Sequence, residues 1–256
     1  MYELIDTHCH LDDKQFAADR DAILDRCRRS GITKIVVPAI QRNNWDSVLA
    51  LCSTSDSLYP ALGLHPMFTN KHHDADIVTL DDYLKQHSVV AIGEIGLDYY
   101  SKDADRDRQK YFFEQQLQLA HIHQLPVLLH VRKAHADTIE LLKKHRPVGG
   151  IAHAYNGSLE QAREYLKLGF KLGFGGMLTY ERATKIRQLA QELPLTAIVL
   201  ETDAPDMVGF RHKGERNSPE YLLDALSSLA EIRHDSQQVI AEQTTKNALD
   251  IFMGAV

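Results

Sequence analysis

The chain has 256 residues, 44% of them hydrophobic and 25% charged, with a formal net charge of −6. That length suits one large barrel, the acidic balance excludes a general basic coat for nucleic acid, and three cysteines without a CxxC spacing exclude a disulfide frame. No run approaches the roughly 18 apolar residues of a membrane span, and no cationic-then-apolar leader precedes Asp6, so the expectation is a cytoplasmic protein without a membrane partner.

The first apolar run, 3–8, leads into Asp6-Thr7-His8-Cys9-His10. Residues two apart on a strand face the same way, so His8 and His10 can aim at one point while Cys9 faces the other side. A helical pattern over 19–30 follows. The second run, 34–40, leads to a helix over 45–53. The third, 59–64, ends in Gly63-Leu64-His65-Pro66; His72-His73 then reads as a solvated loop, before a helix over 80–86. The fourth, 89–94, ends in Gly93-Glu94-Ile95-Gly96-Leu97-Asp98. Glu94 stands between Ile92 and Ile95, where an unpaired carboxylate is costly to bury; a metal or a lysine partner would remove that cost.

The charged stretch 102–110 reads as the solvated start of a helix over 106–123. That helix holds His121-Ile122-His123, the same spacing as the first pair. On a helix, residues two apart point about 200° from each other, so these two read as surface or packing residues. The fifth run, 126–131, carries His130 with Arg132 two beyond, before a helix over 134–145. The sixth, 149–153, ends at His153, before a helix over 159–168. The seventh, 170–174, enters Gly173-Phe174-Gly175-Gly176, which lacks the Lys-Ser/Thr of a phosphate loop and reads as a tight turn before a helix over 183–192. The eighth, 197–202, ends in Glu201-Thr202-Asp203-Ala204-Pro205. After a loop with Arg211, His212, Lys213 and Arg216 come helices over 219–232, with Pro219 in its first position, and 236–252, capped by Ser236.

Eight such runs, each followed by a helix, predict a (β/α)8 barrel as one domain over 1–256; the alternative is an open doubly wound sheet. Barrels carry their chemistry at the strand C-termini, and the first, third, fourth, fifth, sixth and eighth runs end in His, Glu or Asp. Taken singly, each has another use: His65 and Asp203 can open turns, and His130 and His153 can be hydrogen-bonded core residues. Together, four histidines and two carboxylates exceed what one tetrahedral zinc takes and suit two divalent ions sharing a bridging carboxylate. The reaction class is metal-assisted hydrolysis. Arg132 and the basic loop after the eighth run favour an anionic substrate, unless that loop is simply solvated.

These motifs, with Arg216-Asn217-Ser218-Pro219 in the same order, resemble the TatD family of metal-dependent DNases over essentially the whole chain, and Asp203-Ala204-Pro205-Asp206-Met207 resembles its YjjV-type subgroup most. The resemblance implies a TIM-barrel hydrolase with two divalent ions (Mg²⁺, Mn²⁺ or Zn²⁺) that cleaves phosphodiester bonds, as a 3′-5′ exodeoxyribonuclease. It implies that His8, His10 and Asp203 hold one ion, His130 and His153 the other, and that Glu94 bridges them. Asp203 also orients or deprotonates the attacking water, and His65 contacts the scissile phosphate. Arg132, Lys213, Arg216 and Asn217 would lie near the nucleic acid. The family commonly reads His-Cys-Phe-Ser-Gly at the sixth strand; here it is His153-Ala154-Tyr155-Asn156-Gly157, and Tyr155 can stack on a base. An amidohydrolase cleaving a C–N or ester bond is the alternative activity, although such enzymes often bridge their metals with a carboxylated lysine where this chain has Glu94. A binding protein that keeps its metal without turnover is a further alternative. A monomer is the default expectation.

Overall fold

The computed structural model describes residues 3–252. Eight parallel strands follow one another around a ring in sequence order: β1 (Leu4–Asp6), β2 (Ile32–Pro38), β3 (Leu58–Leu62), β4 (Ala91–Asp98), β5 (Val127–Arg132), β6 (Gly150–Ala152), β7 (Phe170–Phe174) and β8 (Ile198–Leu200). Just past the strand ends, Thr7 N donates to Leu200 O (3.1 Å) and Asp203 N to His8 O (2.8 Å), so the last strand meets the first. That closure makes a TIM barrel and rules out the open sheet.

The helices are α1 (Arg20–Arg29), α2 (Trp45–Cys52), α3 (Asp74–Gln86), α4 (Arg106–His123), α5 (His135–His145), α6 (Leu159–Lys167), α7 (Thr184–Glu192), α8 (Leu222–Arg233) and α9 (Gln237–Phe252). Among the described residues, no helix is long and apolar enough to cross a membrane. α3 begins earlier than its apolar period suggested. His73 N donates to Asp76 Oδ2 at 2.7 Å, and Asp74 and Asp76 complement the helix N-terminus, so a polar first turn is helical without an apolar signal. The predicted start at Pro219 is a 3-10 turn, Pro219–Tyr221, ahead of α8.

Strand alternation divides the core in two. Leu4, Ile35, Val37, Leu62, Val127 and Leu129 pack outward against the helices. Ile5, Val36, Ala61, Leu128, Ile151 and Val199 form a separate inner cluster with Ala248 and Phe252 of α9. Burying each large apolar side chain contributes roughly 1.5–3 kcal/mol.

One irregularity in this alternation sets the site. Ile92 pairs with Val127 and Ile95 with Leu129, so Gly93 and Glu94 of β4 stand against Leu128 alone of β5. The extra residue is a bulge. It keeps both Ile92 and Ile95 in the outer cluster and frees Glu94 from the outward face.

Candidate metal centre

Glu94 is 2% exposed and ringed by imidazoles. Its Oε2 lies 3.2 Å from His8 Nε2 and 3.4 Å from His10 Nε2. Its Oε1 lies 3.1 Å from His65 Nε2, 3.0 Å from His130 Nδ1 and 3.7 Å from His153 Nε2. Asp203 is split in the same way: Oδ1 stands 3.8 and 3.6 Å from His8 and His10, and Oδ2 stands 3.9 Å from His153. Each carboxylate thus offers one oxygen to each of two imidazole groups. Among the described residues, three sets of donor atoms lie close enough to hold an ion: His8-Glu94-His153, His8-His10-Asp203 and His65-Glu94-His130.

β1 ends at Asp6, so His8 and His10 sit just beyond it, yet their rings are 5.1 Å apart. Cys9 is buried on the other side, in the outer core. Asp6 fixes the bend: its carboxylate accepts from His8 N, Thr202 N and Thr202 Oγ1. Burial pushes Asp6 up to about 7 against those bonds.

The second nitrogen of each ring decides what the first can do. His10 Nδ1 donates to Pro38 O (3.3 Å), His130 Nε2 to Asp98 Oδ2 (3.0 Å) and His153 Nδ1 to Glu201 Oε1 (3.1 Å). With one proton held there, the nitrogen facing Glu94 carries the lone pair a metal needs. His65 is wired the opposite way. Its Nδ1 accepts from Met67 N (3.0 Å), so its proton sits on Nε2 and is donated to Glu94 Oε1 (3.1 Å). His8 lacks a second partner, its Nδ1 being buried and unpaired; its ring stacks on His153 at 3.9 Å.

The electrostatics agree with this wiring. Burial pulls the His10 and His153 imidazoles down, but the carboxylates around them outweigh it and push them up to about 9 and about 10. His130 is raised by Asp98 and Glu94 against its burial. Burial lowers His65 to about 4, and lowers His8 too. Burial would raise Glu94, but the surrounding imidazoles hold it well below the usual carboxylate range. The three rings locked by a second acceptor are the three that draw extra protons. Positive charge is wanted at those nitrogens, and the nitrogen and oxygen donors fit divalent ions.

Asp98 and Glu201, both buried, hold the His130 and His153 rings, contacts that strand-end logic did not assign. Glu201 also accepts from Ala154 N at 2.6 Å. A Cβ at Gly173 would stand 2.1 Å from Glu201 Oε2, so only glycine leaves room for that carboxylate. Buried glutamines of α4 hold two of the strand ends: Gln109 bonds both Asp98 N and O, and Gln116 both Leu64 N and O.

The centre opens into a cleft of about 670 Å³, lined by His10, His65, Glu94, His130, His153 and Asp203 and, at its rim, Met67, Tyr100, Arg132, Lys133 and Met207. Among the described residues, seven non-glycine residues have positive φ. Gln124, Arg146 and His234 end helices in the left-handed conformation. The other four, Lys133, Ala154, Asp203 and Met207, all line this cleft. Strained backbone is concentrated where the chemistry is.

Several expected contacts do not reach the cleft. Tyr155 is 2% exposed. Its hydroxyl donates to Ser158 O (2.6 Å) and its ring packs against His135 and Tyr165, so no base can stack on it. Arg216 is bound to both oxygens of Asp19 (3.0 and 2.7 Å) and lies over Phe16. Asn217 is buried and ties the loop down, donating to Thr202 O and Asp206 O. Arg211 pairs with Asp224, and Lys213 is exposed away from the cleft lining. His72 is buried rather than solvated; its Nε2 donates to His65 O (2.9 Å) and its ring meets Phe112. His121 and His123 stay outside the centre, on Arg146 O and Asp81. Arg132 is at the rim as expected. Lys133 was not foreseen, because its left-handed backbone breaks the strand alternation.

A family model described as TatD related DNase matches residues 5–253. An uncharacterized metal-dependent hydrolase of Escherichia coli K12, YjjV, is 41% identical over 251 residues, covering 97% of each chain. The crystal structure of YjjV superposes with a TM-score of 0.93 over 98% of both chains. A Pantoea protein named 3′-5′ ssDNA/RNA exonuclease TatD is 30% identical over 257 residues, 97% of this chain and 99% of its own.

Proposed function

The chain belongs to the TatD-related DNase family of metal-dependent hydrolases, and from that membership we propose that it hydrolyses phosphodiester bonds of DNA from the 3′ end. One observation carries the choice of substrate. Arg132 and Lys133 stand exposed at the cleft rim with no acidic partner within ion-pair distance among the described residues, in a protein whose net charge is −6. Unpaired cations beside a divalent-metal centre favour an anion. The exonuclease name of the Pantoea relative supports DNA or RNA as that anion.

Two ions are proposed, from the two-sided arrangement of Glu94 and Asp203. His8, His10 and Asp203 would hold one, His130 and His153 the other, with Glu94 between them. Bound there, divalent ions polarise a phosphoryl oxygen and lower the pKa of water. Asp203 reaches the cleft and takes the proton of the attacking water. His65, neutral at pH 7, carries its proton on Nε2, where it bonds Glu94 Oε1; with Glu94 turned to the ions, that N–H would be released to donate to the scissile phosphate or the leaving oxygen. Arg132 and Lys133 orient the strand through its phosphates.

The test is a 3′-labelled single-stranded oligonucleotide incubated with Mg²⁺, Mn²⁺ or Zn²⁺, beside a panel of small amides and esters. Stepwise release of nucleotides from the 3′ end is expected. Amide or ester turnover without release of nucleotides would overturn the proposal in favour of an amidohydrolase.

A further inference from the structure

We infer that a side cavity next to the metal cleft is a nucleobase subsite walled by Tyr100. Two cavities share one end of the barrel: the cleft of about 670 Å³ and a side cavity of about 360 Å³, both in the size range of small-ligand pockets. Met67, Tyr100 and Arg132 line both, so they form the partition between them. Asp98 lines the side cavity and is hydrogen-bonded to His130. The cavity is therefore one residue away from the metal-facing rings.

The partition has the chemistry of a stacking platform. Tyr100 is 55% exposed and Met67 60%, which leaves a ring and a thioether at the mouth of a cavity rather than in the core. The Arg132 guanidinium lies 3.5 Å from the Tyr100 ring centroid and Lys133 Nζ 4.7 Å from it. Base–aromatic stacking with an arginine alongside is how single-stranded nucleic acid is held without sequence readout.

Charge separates base from phosphate. Asp98, Asp103 and Asp105 are on the walls of the side cavity against Arg108 and Arg132, and Arg108 is already paired with Asp74. A phosphate is disfavoured there. A neutral planar base is not, and the exposed amide of Asn70 and the carboxylate of Asp103 offer groups to its edge. The phosphate of the same nucleotide then falls to Arg132 and Lys133 on the cleft side. Only this last link rests on the phosphodiesterase reading; the base site itself stands on the cavity.

The probe is 2′-deoxyadenosine, titrated into the full chain with and without chelator and followed by ligand-detected NMR, with 2-deoxyribose as control. Saturable nucleoside binding is expected. Tyr100→Ala should weaken it about tenfold, Tyr100→Phe should retain it, and the bare sugar should not bind. Equal binding by Tyr100→Ala, or equal binding of the sugar, overturns the subsite. As a kinetic arm, an oligonucleotide abasic at the nucleotide beside the cleaved bond should lose about the same factor with the wild-type protein and nothing further with Tyr100→Ala. Equal cleavage of abasic and normal strands rejects the subsite and leaves the hydrolase; nucleoside binding through Tyr100 with no cleavage of any phosphodiester rejects the nuclease and leaves the subsite.

Discussion

Asp98→Asn is the most informative substitution, because it changes a proton's position and little else. Asp98 Oδ2 accepts from His130 Nε2 at 3.0 Å, while Oδ1 accepts from Tyr100 N at 2.8 Å. Asparagine has the same shape but only one acceptor oxygen. If that oxygen faces Tyr100 N, the NH₂ group faces His130 Nε2 and drives the ring's proton to Nδ1, toward Glu94. If it faces His130, the NH₂ group meets the Tyr100 N–H. The second orientation sets two donors face to face, so the first prevails and the lone pair on Nδ1 is lost, while the backbone of residue 98 stays held by Gln109. Losing such an outer partner of a metal-ligating histidine typically costs 10–100-fold in metal affinity or activity, or about 1.4–2.7 kcal/mol at about 1.36 kcal/mol per decade. Chelator competition on wild type and variant, with thermal unfolding as a control for folding, measures this directly. One ion should weaken by that factor, while the ion on the His8–His10 side keeps its affinity. A variant that binds both ions at wild-type affinity would falsify the wiring of His130.

The remaining expectations follow from the same geometry. Glu94→Ala removes the carboxylate facing both imidazole groups, so metal content and turnover should both collapse; near-normal turnover with two bound ions would take Glu94 out of the bridge. Because the carboxylates raise His10 to about 9 and His153 to about 10, these two rings are protonated at pH 7 and ions must displace those protons. Affinity should therefore fall as pH falls, with protons released on binding; calorimetry in two buffers of different ionisation enthalpy reads the count, and zero release contradicts the shifts. Tyr155→Phe should lose about 1 kcal/mol of stability with its buried hydrogen bond to Ser158 and leave KM for DNA unchanged; a large rise in KM would return Tyr155 to the binding surface.

The barrel and its six strand-end ligand candidates were legible because both depend on local pattern: apolar runs of strand length and polar residues at their ends. The bulge was not. It comes from the pairing of β4 with β5, which no local pattern records, and it carries β4 on to Asp98, four residues beyond the expected end. Asp98 and Glu201 stood in plain view within their motifs, but their role exists only through rings on other strands. Tyr155, Arg216 and Asn217 went the other way. Each belongs to a residue type that binds nucleic acid, and each is spent here on packing or on tying a loop. Residue type is visible in a sequence; whether its polar atoms are already satisfied is not. Tyr100 and Lys133 were passed over for the converse reason, since an exposed ring and an exposed amine look like ordinary loop residues until a cavity is found behind them.

The protein is proposed to act as a metal-dependent phosphodiesterase that uses two ions around Glu94. The most direct test is the rate of nucleotide release from a 3′-labelled single strand, followed as metal is added back to chelator-treated protein. Activity should be absent without metal and should rise until two equivalents per chain are bound. Full activity at one equivalent, or activity that survives chelation, contradicts the account.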